Sequence, residues 1–598
     1  MSGIAGIVDI TRILPDHQEI QKMISTLAHR GLDKEEIWCG VHSQLASRSF
    51  NRDKEQQITI TYLEKTYAIV FDGEFVNAKE VKKALQEKGY IFNTDTYAEI
   101  VGYAYIEWQH NCVQHLQGTI TGTIWDEQQQ ALFLFRDRIG VKPLFYTTSA
   151  KTLLFASEIK ALLAHEPTSP IVSYDSLTTF LSIGPSRIPG KTVYKNIFEV
   201  KPAHCLLWNK EGLQEWRYWD IESKEHTDSL KQTIEQVREL VTVAVKRQLM
   251  DDSEICTMLS GGLDSSIITA IIAREWGQQG QKLHTFSVDY EGNEEHFAQN
   301  DFQTTRDAYW IECVQQAFQT EHKEVILEQQ ALLEHLQQVL QAKDYPSMVD
   351  IDSSLYLFLR EIKKQFPIVL SGEGADEVFG GYPWFYQDVQ RFPWIRSSTE
   401  RSQLLRQEWQ LRLPLQQRLE EVYEQSISKL QAMDERQQLF YLNNEFFMQT
   451  LLERKERMSA AVSIEARLPF ADVELLQYVW NIPWEMKTVG GFEKGILRKS
   501  FESILPNEVV YRKKNPYPKT YHPAYTLGVQ KMLKERLQNP NSILHELFDP
   551  ENIQQLVESK GASFGVPWFG QLMAGPQLLA FFVQIDQWFE QYNIQLVE

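Results

Sequence analysis

The run Ser260-Gly261-Gly262-Leu263-Asp264-Ser265-Ser266 constrains this 598-residue chain more than any other stretch. It follows an apolar segment, Glu254–Leu259, that reads as a strand, and it opens the helical pattern Ile267–Trp276. Two glycines let the backbone approach a ligand, the serines add hydroxyl donors, and a helix N-terminus supplies a positive dipole end. The unit therefore reads as a phosphate loop. It lacks the Lys before Ser/Thr of a Walker A loop and the serine between flanking glycines of a nucleophile elbow. An aspartate in an anion-binding loop repels phosphates unless a divalent cation bridges them, so Asp264 implies pyrophosphate with Mg²⁺.

A second cluster, Ser371-Gly-Glu-Gly-Ala-Asp-Glu-Val-Phe-Gly-Gly-Tyr382, also follows an apolar strand pattern. Its glycines mark a backbone that bends sharply or meets a ligand. Glu373, Asp376 and Glu377 crowd three carboxylates together, and they repel one another unless a metal or cationic side chains neutralise them. The basic run Tyr511-Arg-Lys-Lys514, with Lys519 beyond it, offers such cations. Lys514 could hold an α-phosphate and offset charge that develops in phosphoryl transfer.

Around these motifs the chain changes texture. Up to Tyr218 it is strand-rich, with short apolar runs at Tyr67–Phe71, Thr123–Trp125 and Ala131–Phe135 and two helical patterns at Gln18–Ala28 and Ala78–Lys88. Strands with few helices and no βαβ rhythm predict an α+β, largely antiparallel domain. The polar stretch Trp219–Ser229 reads as a linker. From Leu230 onward helical periodicity dominates, with strands at Ile255–Leu259, His284–Val288 and Ile368–Leu370, which predicts a parallel sheet with helices on its faces. From Ser397 to the end the pattern is almost wholly helical.

Composition narrows the classes. Hydrophobic residues at 43% supply large cores and exclude a disordered chain. Lys and Arg number 60 against 80 Asp and Glu, a net charge of −20, which argues against nucleic acid as the main partner. The five cysteines are widely spaced and form no ligand cluster, as in a reduced compartment without structural zinc. No apolar run approaches the ~18 residues of a membrane helix, and the start Met-Ser-Gly-Ile has no basic signal region. The expectation is a cytoplasmic protein that uses neither membrane nor nucleic acid.

Taken in order, Gly3-Ile-Ala-Gly6, His29-Arg30-Gly31, Arg136-Asp-Arg-Ile-Gly-Val-Lys-Pro-Leu-Phe-Tyr146, Ser157-Glu-Ile-Lys160, the phosphate loop, Thr285-Phe-Ser-Val288, the acidic loop, Glu465-Ala-Arg-Leu-Pro-Phe470 and Tyr511–Lys514 resemble the asparagine synthetase family over essentially the whole chain. The resemblance implies an α+β Ntn-type glutaminase domain over 1–218. It implies an α/β ATP-pyrophosphatase synthetase domain, adenine nucleotide α-hydrolase-like with a helical extension, over 230–598. In such enzymes ATP adenylates a carboxylate, releasing pyrophosphate, and an amine or ammonia attacks the acyl-adenylate. Carried over, Leu259, Val288, Ser371 and Gly372 contact AMP, Asp264 and Asp376 hold Mg²⁺ and pyrophosphate, and Glu373 and Lys514 sit at the adenylation centre.

The departures gather in the N-terminal half. The family begins Met-Cys-Gly-Ile, with Cys as the nucleophile; here position 2 is Ser2. The family's Leu-x-His-x-Arg-Leu holds the glutamine carboxylate through its Arg; here Leu45-Ala-Ser-Arg-Ser-Phe50 places Ser49 there, unless a one-residue slip brings in Arg48. The oxyanion-hole Asn of Tyr-Asn-Gly-Glu becomes Asp72, whose carboxylate has the wrong sign for an oxyanion. The Asp of Ser-Asp-Thr-Glu that pairs with the substrate amine becomes Tyr97. With nucleophile, oxyanion donor and both anchors altered together, the glutaminase is expected to be inactive.

A chain that keeps adenylation and drops ammonia delivery is expected to use another amine. The pattern resembles β-lactam-forming synthetases and the macrolactam synthetases (lasso cyclases). The β-lactam type carries Tyr where this chain keeps Glu373, which favours a macrolactam or an asparagine reading. The leading expectation is a lasso cyclase that closes an Asp or Glu side chain of a precursor peptide onto its N-terminal amine, with a leader-binding protein and a leader peptidase as partners. The alternative is an asparagine synthetase fed by free ammonia, and a non-catalytic binding scaffold is the third. The family resemblance is also compatible with a homodimer.

Overall fold

The computed structural model describes residues 2–14, 16–50, 57–149, 151–250, 254–297, 305–387, 391–430 and 433–598. The chain forms two compact units: the first is Met1–Ile171 with Ile188–Ile221 and Ala460–Ser463, the second Val172–Arg187, Glu222–Ser459 and Ile464–Glu598.

The first unit is built on two six-stranded antiparallel sheets. Strand Ser2–Asp9 lies inside one of them, paired with Ser43–Ser49 and Thr152–Ala156. Strands Lys65–Phe75, Gly118–Asp126 and Ala131–Arg136 are neighbours in the other. The strand runs read from the sequence fall inside these three strands. Side chains from both sheets, among them Ile4, Leu45, Val70, Trp125, Leu134 and Phe155, make a shared core. A second core lies where Tyr67, Ile69 and Phe71 meet the helices Ala78–Glu87 and Tyr97–Trp108. Helix Gln18–Ser25 packs on Ser2–Asp9 and Ser43–Ser49. This is the layered α+β arrangement of an Ntn-type domain, with period-2 strands burying alternate side chains against the partner sheet.

The second unit holds a five-stranded, all-parallel sheet in the spatial order Glu321–Leu327, His284–Tyr290, Ile255–Met258, Ile368–Leu370, Glu465–Arg467. Numbered along the chain that order is 3-2-1-4-5, so the topology reverses between Ile255–Met258 and Ile368–Leu370. In such sheets ligands bind in the crevice at the carboxyl ends of the strands that flank the reversal. The phosphate loop and the acidic loop follow those two strands.

Two local outcomes differ from the sequence expectation. Within the almost wholly helical C-terminal region, Glu465–Arg467 is a short strand unmarked in the sequence: it joins the sheet at one edge, and the Arg467 carbonyl accepts the Ser371 N–H at 3.0 Å. The segment Tyr174–Ile183 groups with the second unit: Arg401 donates to the Leu181 and Ser182 carbonyls at 2.9 and 2.7 Å, and Phe180 packs against Phe581 and Trp588. After the polar linker, Ser229 caps the helix Leu230–Arg247 with a reciprocal Ser229–Gln232 box.

Candidate active site

The phosphate loop is shorter than its sequence implies. The helix runs from Leu263 to Gln278 with Gly262 as its N-cap, so Leu263, Asp264, Ser265 and Ser266 form its first turn and only Ser260–Gly262 is loop. The reason lies in the side-chain bonds: Ser265 Oγ donates to the Gly262 carbonyl and accepts the Ser260 N–H at 3.3 and 3.2 Å, closing the turn early. Gly261 has φ +66, and a Cβ there would lie 2.7 Å from the Ile311 nitrogen, so a side chain is excluded.

A cavity of about 260 Å³ opens here, bordered by Leu259, Ser260, Gly262, Leu263, Asp264 and Ser265, and across it by Val288, Ser371, Gly372, Glu373, Asp376 and Lys514. These sequence-predicted residues meet at one place. Gly261 and Ser266 do not border it: Gly261 backs onto Trp310, and Ser266 Oγ is buried with no hydrogen-bond partner among the described residues.

The carboxylates are neutralised by lysines. Lys494 Nζ donates to Asp264 at 2.8 and 2.6 Å and to Asp376 at 2.7 Å, and Lys514 pairs with the other Asp376 oxygen. Burial opposes ionisation of Asp376, but Lys494 and Lys514 outweigh it and hold its carboxyl below the usual range. Asp264 goes the other way, because burial pushes it up more than its share of Lys494 pulls it down. Glu377 has no lysine. Burial, then the Asp376 charge, push it to about 7, and Tyr382 donates to it at 2.5 Å. Glu373 pairs with Lys455 at 3.0 Å.

Sequence reasoning found Lys514 and missed Lys494 and Lys455, which are 230 and 82 residues from the motifs they serve (494 − 264 and 455 − 373). The one signal available was the excess of acid on these loops over the cations assigned to them. The basic run Tyr511–Lys514 divides its work. Arg512 donates to the Ser260 carbonyl at 2.7 Å, pairs with Asp307 and stacks over Trp310 at 4.3 Å, so it ties down the phosphate loop, while Lys513 is exposed.

These residues fit nucleotide and Mg²⁺. Leu263, Asp264 and Ser265 of the first turn of the helix Leu263–Gln278 border the cavity, and Asp264 and Asp376 are hard oxygen donors that a cation could share with Lys494 and Lys514. Among the described residues no cluster of three or more His, Cys, Asp or Glu could hold a metal unaided. Mg²⁺ takes one or two carboxylates and completes its shell with phosphates and water, and Asp264 and Asp376 would be those carboxylates.

In the first unit Asp72, fully buried, accepts the Ser2 N–H at 3.0 Å and faces Arg30 at 3.2 Å and Lys142 at 3.5 Å. Burial raises its pKa, but Lys142 and Arg30 win and keep the carboxyl below its ordinary value. Arg30 also donates to the Ser2 carbonyl at 2.8 Å and pairs with Glu158 at 2.9 Å. Lys142 reaches Asp72 because Asp137 accepts the N–H groups of Ile139, Gly140, Val141 and Lys142, folding the Arg136–Lys142 motif into a tight turn.

Ser2 pairs with Ser49 across the strands, and both hydroxyls are buried without a partner among the described residues. Arg48 lies opposite Gly3, pairs with Glu35 and donates to the Ile24 carbonyl. A one-residue slip bringing it to position 49 would invert every side chain of the strand. Tyr97 starts the helix Tyr97–Trp108 and packs edge-on against Phe71 and Phe75.

A glycine-loop motif and an acid–lysine cavity thus lie at the reversal point of a parallel sheet, in a chain that also carries an Ntn-type unit. Residues 236–590 match the family model described as asparagine synthase, and residues 1–219 match the glutamine amidotransferase domain. The chain is 46% identical to asparagine synthetase (glutamine-hydrolyzing) 3 of Bacillus subtilis strain 168, over 100% of both chains. It is 26% identical to asparagine synthetase (glutamine-hydrolyzing) 1 of the same organism over 87% of each. It is 28% identical to a putative asparagine synthetase (glutamine-hydrolyzing) 2 of Methanocaldococcus jannaschii, over 64% of this chain and 76% of that one. The chain belongs to the asparagine synthetase family. No helix among its described residues is long and apolar enough to cross a membrane.

Proposed function

We propose that this ligase makes asparagine from aspartate and free ammonia, and that its N-terminal unit no longer hydrolyses glutamine. Full-length relatives named for asparagine synthesis favour aspartate as the acid, so the reading moves from the peptide macrolactam to the simpler amide. What supports loss of the glutaminase is the Asp72 cluster. The position that should donate to an oxyanion carries a carboxylate fixed by Arg30 and Lys142 beneath Ser2. Such a group repels developing negative charge.

In the second unit Leu259 and Val288 offer apolar surface to the adenosine moiety, and the first-turn N–H groups with Lys494 and Lys514 receive the phosphates. Asp264 and Asp376 would hold Mg²⁺, which shields phosphate charge when bound. Lys514 offsets charge at the α-phosphate as the aspartate side chain attacks it and pyrophosphate leaves. Glu373 then takes a proton from the attacking amine as the amide forms and AMP departs.

The test is product analysis with purified protein, ATP, Mg²⁺ and aspartate. Ammonium should yield asparagine and AMP in equal amounts, and glutamine should yield neither. Asparagine formed from glutamine would overturn the loss of the glutaminase. AMP release that requires a peptide with a free N-terminus and an internal Asp or Glu, giving a product one water lighter, would restore the macrolactam reading.

A further inference from the structure

We propose that Lys455 is the positioning residue that holds the Glu373 carboxylate in place for amide formation; this rests on the reading of Glu373 given above. Glu373 stands between two glycines, and Gly374 has φ +95, a backbone conformation that glycine adopts readily and other residues rarely do. Its neighbours Asp376 and Glu377, in the short helix Ala375–Phe379, carry like charge, and the Coulombic effect of Glu373 is felt at Glu377. The Ser371–Tyr382 motif therefore supplies no counter-charge for this side chain.

The counter-charge comes from another element. Lys455 lies in the helix Gln449–Ala461, its side chain 3% exposed, with Nζ 3.0 Å from Glu373 Oε2. Its other close polar neighbour is the Met258 thioether at 3.6 Å, a weak acceptor. An ammonium buried this deeply needs an anion, and among the described residues its ion pair is with Glu373. The adjacent Arg454 bonds to Asp352 at 3.0 Å and the Ile351 carbonyl at 2.9 Å and lies over the Tyr517 ring at 4.8 Å, so its charge is felt by Glu373 but its hydrogen bonds go to other groups. Glu373 and Lys455 both border the nucleotide cavity. A side chain on the helix Gln449–Ala461 thus holds, through one charge-assisted bond, a carboxylate whose own motif offers it no cation.

The experiment compares Lys455→Met, Lys455→Gln, Lys455→Arg, Glu373→Gln and the Lys455→Met/Glu373→Gln pair. Two readouts are used: ATP–pyrophosphate exchange with aspartate, and asparagine formation with ammonium. Lys455→Met and Lys455→Gln should lower kcat for asparagine by about tenfold or more, with exchange and the KM for ATP within about threefold of wild type. Lys455→Arg should recover part of the loss. Lys455→Met should cost nothing further in the Glu373→Gln background, because a positioning residue has no work once its carboxylate is gone. If the two losses multiply, or fall on the KM for ATP, Lys455 acts on its own account and the proposal is overturned. Exchange lost along with asparagine in both Lys455→Met and Lys455→Gln assigns Lys455 to the fold and overturns it too. Full activity in Glu373→Gln instead removes the underlying reading of Glu373, and the Lys455 proposal with it.

Discussion

Lys494 grips both carboxylate oxygens of Asp264, at 2.8 and 2.6 Å, from a position 3% exposed. The same ammonium reaches Asp376 at 2.7 Å, so one lysine joins the first turns of the two helices, Leu263–Gln278 and Ala375–Phe379, that follow the strands flanking the reversal. Lys494 itself has φ +53, a left-handed conformation uncommon outside glycine and held only where the surroundings over-determine it. The phosphate loop and the acidic loop are thereby registered on each other before any nucleotide arrives.

Asp376→Asn should disable adenylation. It removes the anion between Lys494 and Lys514, leaving Lys514 without its carboxylate partner and Lys494 with Asp264 alone, and breaking a buried pair in this way typically costs several kcal/mol. We expect ATP–pyrophosphate exchange to fall by about a hundredfold or more at ordinary Mg²⁺. Near-wild-type exchange in this variant would show that Asp376 is not a ligand of the Mg²⁺–pyrophosphate.

Arg512→Met should raise the KM for ATP more than it lowers kcat. Arg512 donates to the Ser260 carbonyl and stacks on Trp310, so it fixes the loop proposed to receive the phosphates. Its loss should loosen the cradle, about tenfold in KM, with the chemical step little changed. A fall confined to kcat would place Arg512 on the reacting atoms instead.

Lys487 gives a pH signature. It is buried over the Phe440 ring at 4.6 Å, with its Nζ 3.4 Å from the Trp480 carbonyl. Burial lowers it from 10.5 to about 7, opposed only by the Asp434 charge. The unfolded chain therefore binds more protons than the folded one between those values, and stability rises with pH across that window. Lys487→Met should stabilise the protein most at pH 7 and below, by about 1.4 kcal/mol per unit of depression. That advantage should fade to nothing as the pH approaches the unfolded value. Equal urea midpoints for variant and wild type at neutral pH would contradict it.

Much of this architecture was legible in the residues. The strand–glycine loop–helix pattern predicted the parallel sheet and put Asp264 near a helix N-terminus, and short apolar runs such as Ala131–Phe135 marked the antiparallel unit. What escaped was long-range or non-local. Glu465–Arg467 is only three residues long and looks helical in isolation, because its strand state comes from pairing with Ile368–Leu370. The early start of the helix at Leu263 comes from Ser265 Oγ closing on the Gly262 carbonyl, a side-chain-to-backbone bond that no periodicity records. Lys494 and Lys455 carry no local pattern that distinguishes them from surface lysines, since their burial is decided by loops far away in sequence.

The Asp72 cluster makes the last prediction. Its carboxylate takes the Ser2 N–H and balances Arg30 and Lys142 in a fully buried setting. Asp72→Asn would keep an oxygen for the Ser2 N–H but remove the charge, leaving two buried cations short of an anion. Breaking a buried pair this way costs about 3–5 kcal/mol. The substitution that brings back the family's amide should therefore lower the urea midpoint of the first unit's unfolding rather than revive catalysis. Ser2→Cys should fold normally, since the Ser2 hydroxyl makes no hydrogen bond among the described residues and a thiol is a small hydrophobe. On the proposed loss of the glutaminase it should still release no glutamate from glutamine, because Asp72 would stand where that reading needs an oxyanion donor, Ser49 lies opposite Ser2 while Arg48 is paired with Glu35, and Tyr97 packs on Phe71 and Phe75. Glutamate release by Ser2→Cys alone, well above a blank, would mean that the nucleophile was the sole loss and that Asp72 does not oppose the chemistry.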